Sequence, residues 1–235
     1  CTTSEYCKSP FCSQNFNRST NYSISLDNYA FNLTHFTFFL FNGIDSNNCT
    51  IIISSPKEIG IRIKTEQNNY SILFENESLK YDLSSEDCVI NQTILQNFDI
   101  LKLTFYSDQY IQIDANDIQL KIYVEQFTID FFKSNVNIAT FNKNHNFLFE
   151  YPDFSDDYED ITSASGVDIS LTNENIYFFS GLGDKSQSIN IDDKIYRLYN
   201  TDLYPNHSSV PFIIAHSPKQ ISVGFFWANP SETFI

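Results

Sequence analysis

The chain has 235 residues and a mass of 27.2 kDa, enough for one large all-β domain or two small domains with a substantial core. Its 14 Lys and Arg against 29 Asp and Glu give a net charge of −15, a field that repels phosphate backbones and anionic lipid and makes nucleic acid a poor partner. Aromatic residues are 16% of the chain and charged residues only 18%, too apolar for a disordered acidic polymer, so the chain is expected to fold. No Met occurs, the initiator included, which points to an N-terminus removed by processing or truncation.

In chain order, residues 1–20 form an N-terminal segment with Cys1, Cys7 and Cys12. Pro10 turns the chain between Cys7 and Cys12, which are close enough in sequence for a local disulfide; free thiols in a reducing compartment are the alternative. With Cys49 and Cys88 the cysteines number 5, and none shows the CxxC spacing of a structural zinc site. Residues 21–235 are expected to form the β-sandwich domain. Runs with β-branched and aromatic residues predict strands at Tyr22 to Leu26, Thr34 to Phe41, Thr50 to Ser54, Ile59 to Lys64, Ser71 to Phe74, Ile100 to Phe105 and Tyr110 to Ile113. Further strands follow at Ile118 to Val124, Thr128 to Phe132, Phe147 to Glu150, Val167 to Leu171, Ile195 to Tyr199, Val210 to Ala215 and Ile221 to Trp227. Asn, Asp, Ser and Gly clusters separate them and no long 3.6-residue period intervenes, which favours an all-β sandwich without helices. Residues 151–165 carry Pro-Asp-Phe-Ser-Asp-Asp-Tyr-Glu-Asp and read as a solvated acidic insertion. No run approaches the length of a membrane-spanning helix.

Motif chemistry is sparse. Asp114, Asn116 and Asp117 resemble the opening of a calcium loop, but the Gly and distal Glu do not follow in register, and a turn is expected instead. Gly181 and Gly183 lack the GxxxxGK[ST] context of a phosphate cradle, and Asp184 would oppose a phosphate. His35, His145, His207 and His216 show no metal-ligand spacing and accompany no nucleophile turn. No cofactor and no metal are expected. Sequons start at Asn17, Asn21, Asn32, Asn48, Asn69, Asn76, Asn91 and Asn206, and chance alone would give about half as many. Together with the cysteines they favour glycosylation in the secretory pathway.

Asp193-Lys-Ile-Tyr-Arg-Leu-Tyr-Asn-Thr-Asp202 contains YRLYN followed by an x-D pair; Ser209-Val-Pro-Phe212, Ala215-His216-Ser217 and Val223-Gly-Phe-Phe-Trp-Ala-Asn-Pro-Ser-Glu232-Thr come after it. These stretches resemble the YRLYN, GSVPF…AHS and VGIFWxNAxET segments of glycoside hydrolase family 31. Upstream, Ser165-Gly-Val-Asp-Ile-Ser and Tyr177-Phe-Phe-Ser-Gly-Leu-Gly-Asp184 are similar to the same family's SVGLDFSF and GLGE segments, with Asp184 where Glu is usual. Phe127-Thr-Ile-Asp-Phe-Phe132 and Asn146-Phe-Leu-Phe-Glu150 resemble its PFxLDL…GLLxFE. Cys7-Lys-Ser-Pro-Phe-Cys12 with Arg18 is similar to the C…FCxRxR opening found in the glucosidase II α-subunit branch, whereas the region from about 40 to 120 matches weakly.

The resemblance implies an N-terminal β-sandwich of the galactose-mutarotase-like type that packs against a downstream (β/α)8 barrel in the same polypeptide. The family hydrolyses α-glucosides with retention through two Asp carboxylates on that barrel. Its WxDMNE nucleophile signature is absent, since the chain has no Met and its one Trp is Trp227, so residues 1–235 alone are not expected to hydrolyse glycosides and contain no catalytic residue. The Asp of the x-D pair, Asp202, is expected to accept hydrogen bonds from sugar hydroxyls of an oligosaccharide substrate, with Thr201 beside it and Tyr204 and His207 on the same loop. Arg197, Tyr199 and Trp227 are expected to be scaffold, and an apolar surface is expected where the barrel docks. The glucosidase II likeness further implies trimming of glucose from N-linked glycans in the endoplasmic-reticulum lumen or secretory pathway, with a glucosidase II β subunit as partner. A freestanding secreted carbohydrate-binding β-sandwich module is the alternative.

Overall fold

The computed structural model describes residues 21–31, 35–43, 46–55, 58–65, 102–106, 109–149, 165–171, 178–182, 190–198, 210–217, 222–227 and 233–235. Every regular element among them is a strand. The chain divides into two compact units, 1–172 and 173–235.

In the first unit, β1 (Ser23–Phe31), β2 (His35–Phe41), β3 (Ser46–Ser55) and β4 (Glu58–Thr65) form an antiparallel meander. A second sheet runs β5 (Lys102–Tyr106), β6 (Tyr110–Ala115), β7 (Ile118–Tyr123), β8 (Thr128–Lys133) and β9 (Val136–Phe141). After the short pair β10 (Leu148–Phe149) and β11 (Ser165–Gly166), β12 (Ile169–Leu171) joins the free edge of β9 and makes that sheet six-stranded.

Period-two sequence decides which face goes inward. Phe36, Phe38 and Leu40 of β2, and Ile111, Ile113 and Ala115 of β6, are all almost fully buried, as are Leu120 and Ile122 of β7 and Ile129 of β8. They form one core with Tyr22, Ile24, Cys49 and Ile51, so the two sheets face each other as a sandwich. Each buried Leu, Ile or Phe among them contributes roughly 1.5–3 kcal/mol by leaving water. Rings fill the centre: Phe38 meets Phe127 edge-on at 6.0 Å, and Tyr22 meets Phe147 edge-on at 4.8 Å. Between the sheets, Ile24 N donates to Val124 O and Phe127 N donates to Tyr22 O, tying the start of β1 to the β7–β8 turn.

Irregular points have local causes. The register of β1 on β2 jumps between Ser25 and Ala30, a bulge that bends this edge strand. Asn116, at φ 55°, sits in the two-residue connection that lets Ala115 pair with Ile118, so the calcium-like Asp114-Ala-Asn-Asp117 stretch is a hairpin turn, as its missing Gly and Glu imply. Ser134 and Asn135, at φ 49° and 65°, turn β8 into β9 without a glycine, helped by Ser134 N donating to Asp117 O and by a Lys133–Asp117 ion pair at 2.5 Å.

The second unit holds β13 (Phe178–Gly181), β14 (Arg197–Leu198), β15 (Phe212–His216), β16 (Val223–Phe226) and β17 (Thr233–Phe234). β15 lies between β13 and β16, and β14 pairs with β17, all antiparallel. Among the described residues of the predicted strand Ile195 to Tyr199 only Arg197 and Leu198 are in β14, and β13 and β17 here, like β9 in the first unit, are strands the sequence reading does not predict. The predicted strand Ser71 to Phe74, the acidic insertion apart from Ser165, and the Cys7–Cys12 pair lie outside the described residues.

Candidate functional site

Thr201, Asp202, Tyr204 and His207 lie outside the described residues, and the stretches on either side of them are described. On one side β14 is fixed by exchange of backbone hydrogen bonds between Tyr196 and Ile235, at 2.8 and 3.0 Å, and by burial of Leu198. On the other, Pro211 is buried, its carbonyl accepts from Trp227 N at 2.9 Å, and the chain enters β15. Trp227 is half-buried just after β16; the side chain of Arg197 and all of Tyr199 lie outside the described residues.

β13 brings a second segment to the same end of this sheet. Gly181 pairs with Ile213, and Leu182 N donates to Phe212 O at 2.8 Å, so the end of β13 lies beside the start of β15. Ser180 pairs back with Asn190, and Ile191 N donates to Phe179 O, closing the base of that segment. Gly181 has φ 129°, and a Cβ built on it would sit 2.0 Å from Phe212 O. Backbone approach therefore accounts for this glycine with no phosphate in the argument. Beside it, Ser180 Oγ and His216 Nε2 are 2.7 Å apart, and the His216 ring stacks on Phe178 at 4.3 Å. His216 is a strand-end residue satisfied by its neighbours, and among the described residues no group of three His, Cys, Asp or Glu is placed to hold a metal.

The outward face of the six-stranded sheet is a second concentration of polar and aromatic groups, missed in the sequence although its period-two spacing against Ile111 and Ile113 displays it. Register places Tyr106, Tyr110 and Tyr123 in one row, and Gln112, Lys121, Asp130 and Thr140 in the next. Tyr106 stacks on Tyr110 at 4.7 Å, and Tyr110 meets Tyr123 at 5.9 Å. Asp130 accepts from Tyr123 Oη at 3.1 Å and Thr140 Oγ1 at 2.6 Å; Asp114 accepts from the Gln112 and Gln119 amides at 2.9 Å. The Lys121 ammonium lies 5.0 Å from the Phe132 ring centre and 5.5 Å from that of Tyr110.

Burial and then the Asp130 charge raise the Tyr123 phenol above its ordinary value. A phenol raised on folding holds its proton in the native state where the unfolded chain has lost it, so its contribution is complete below the unfolded value and fades as pH rises past it. Tyr123→Phe is expected to flatten the alkaline fall in unfolding temperature above about pH 10. An unchanged alkaline slope would contradict that link.

Asn21 is exposed immediately before β1, and the backbone of Asn48 lies in β3 opposite Phe39 and Lys64; the other six sequons lie outside the described residues. Cys49 is a fully buried thiol, free among the described residues, and desolvation holds it far above the usual thiol range. Exposed apolar side chains of the second unit are Ile195, Val210, Phe226 and Ile235. No helix among the described residues is long and apolar enough to cross a membrane.

A family model described as the glycosyl hydrolase 31 N-terminal galactose mutarotase-like domain matches residues 50–235. The chain belongs to this family. Among solved structures, the glucosidase II α subunit in its DNJ-bound form superposes on 97% of this chain with a TM-score of 0.71 at 16% identity. The catalytic subunit in the endoplasmic-reticulum glucosidase II complex with the binding domain of its regulatory subunit gives 0.71 at 17% identity over 96%. The family 31 dextranase of Flavobacterium johnsoniae, complexed with glucose, gives 0.54 at 13% identity over 84% of this chain and 21% of its own. At these identities the likeness establishes the fold. The family 31 domain spans 30% of the length of each of the two glucosidase II chains. Comparison with curated protein sequences gives no match.

Proposed function

We propose that this domain is the N-terminal β-sandwich of a longer retaining α-glucosidase of the glucosidase II type, trimming glucose from N-linked glycans. The observation that supports the reading is the superposition of nearly the whole chain on less than a third of the glucosidase II α subunit, which is consistent with catalytic carboxylates on a downstream barrel. In this reading the second unit anchors residues 199–209 at the barrel mouth. Asp202 accepts paired hydroxyls of the glucose being removed, Thr201 assists it, and a β subunit joins the assembled enzyme in the endoplasmic-reticulum lumen. The exposed apolar side chains Ile195, Val210, Phe226 and Ile235 fit a surface covered by further protein. Asn21, exposed at a strand start, is the described sequon best placed to carry a glycan.

In the full-length polypeptide, Asp202→Asn is expected to lower kcat/KM for an α-glucoside by about 10- to 100-fold, the worth of a charge-assisted hydrogen bond, with the unfolding temperature unchanged. Thr201→Ala is expected to cost less. Unaltered kcat/KM in Asp202→Asn would remove the residue from the substrate site.

A further inference from the structure

We propose that the corner where the loop after β9 meets the start of β12 binds a calcium ion, with Asp168 as its one carboxylate ligand. Asp168 is half-buried just before β12 and clasps that loop. Its carbonyl accepts from Asn142 N at 2.7 Å, and its Oδ2 accepts from the backbone N and the side-chain amide of Asn144, each at 3.1 Å. The other carboxylate oxygen, Oδ1, is buried and meets no donor among the described residues. No ion pair of the described residues reaches Asp168 either, and Lys143 on the same loop is exposed. A carboxylate held only by neutral amide donors, with one oxygen shut away from them, is costly to bury. A cation against Oδ1 offsets both the missing contact and the uncompensated charge.

Donor chemistry selects the ion. The Asn144 amide that donates to Oδ2 carries its own carbonyl oxygen on the same group, and Asn146 adds a further exposed amide to the loop. Carboxylate, amide, backbone carbonyl and water oxygens are hard ligands. A set with one carboxylate suits Ca²⁺, which takes about six to eight oxygens in flexible geometry, over Mg²⁺, which demands an octahedron, and over Zn²⁺, which prefers thiolate and imidazole. The net charge of −15 raises the local concentration of cations. With a single carboxylate the site is weak, with Kd about 10⁻⁴–10⁻³ M. Such a site leaves no His, Cys or acid spacing in the sequence, because its other ligands are neutral oxygens. The inference is independent of the α-glucosidase reading.

The test is calorimetric titration of the full chain, stripped with EDTA, with CaCl2, alongside thermal unfolding. One saturable site is expected, and at ten times Kd the unfolding temperature rises by about 3–6 °C, with a markedly smaller rise in equal MgCl2. Asp168→Asn keeps an acceptor for the Asn144 donors and is expected to abolish the calcium response. Asn144→Ala, at an exposed side chain, is expected to weaken affinity about tenfold. Asp114→Asn, on the outward face of the six-stranded sheet, should leave the response intact. Absence of saturable binding, an equal rise with Mg²⁺, or a response that survives Asp168→Asn overturns the proposal, and loss of the response in Asp114→Asn does so equally. If Asp168→Asn fails to fold, Asn144→Ala decides: weakened affinity supports the site and unchanged affinity overturns it.

Discussion

Gly181→Ala is expected to destabilise the second unit by at least about 3 kcal/mol. Two effects combine. At φ 129° an L side chain strains the backbone, and the added Cβ would lie 2.0 Å from the Phe212 carbonyl oxygen, a backbone atom of the central strand that cannot yield without breaking the pairing of β13 with β15. Two other glycines separate those effects. Gly43, at φ 92°, has nothing within 4 Å of the point where a Cβ would stand, so Gly43→Ala measures conformational strain alone, about 1–2 kcal/mol. Gly224 meets only the far edge of the Phe212 ring at 3.0 Å and should tolerate Ala with a small ring shift. Denaturant unfolding followed by the fluorescence of Trp227 reads Gly181→Ala and Gly224→Ala, because the one tryptophan lies in their unit, and far-UV circular dichroism reads Gly43→Ala in the first unit. Equal losses for Gly181→Ala and Gly224→Ala would contradict the packing argument.

Asn142→Ala is expected to cost the first unit about 2–4 kcal/mol. Asn142 is 1% exposed, follows β9 and occupies the left-handed region at φ 59°. Its amide donates to Phe127 O, its side-chain oxygen accepts from Phe147 N at 2.8 Å, and its own N donates to Asp168 O at 2.7 Å. It therefore bridges three segments whose aromatic residues, Phe127, Phe141 and Phe147, pack on one another. Truncation leaves a buried carbonyl and a buried N–H without their present partner and puts a Cβ-only residue in a conformation that asparagine tolerates best. Asn142→Gly removes the strain and keeps the loss of both side-chain bonds, so it should fall between wild type and Ala. A midpoint shift below about 1 kcal/mol for Asn142→Ala, read by far-UV circular dichroism, would contradict the clamp.

The strands from Tyr110 to Phe132 were legible because their alternation is strict: Ile111 and Ile113 against Gln112 and Asp114, then Ile118, Leu120 and Ile122 against Gln119 and Lys121. β14 and β17 were harder for a physical reason. Each is two residues long, and they exist only because Tyr196 and Ile235, far apart in sequence, exchange backbone hydrogen bonds. Periodicity cannot report so short a pairing. The Gly181 conformation was hidden too, since a Ser-Gly-Leu-Gly string reads alike for a loop, a bulge or a phosphate cradle until Phe212 O is seen against it. Family membership was legible in the motif order from Ser165 to the C-terminal stretch. The family model matches residues 50–235, while Asp202 itself lies beyond the described residues.

The most direct test of the account is the intact mass of the native polypeptide after deglycosylation, read together with the coding sequence past Ile235. A chain roughly three times this length, continuing into a barrel with a WxDMNE-type nucleophile segment, is the predicted result, as the 30% share of the glucosidase II α subunits implies. A polypeptide ending close to Ile235 would contradict it and leave a freestanding carbohydrate-binding sandwich in its place.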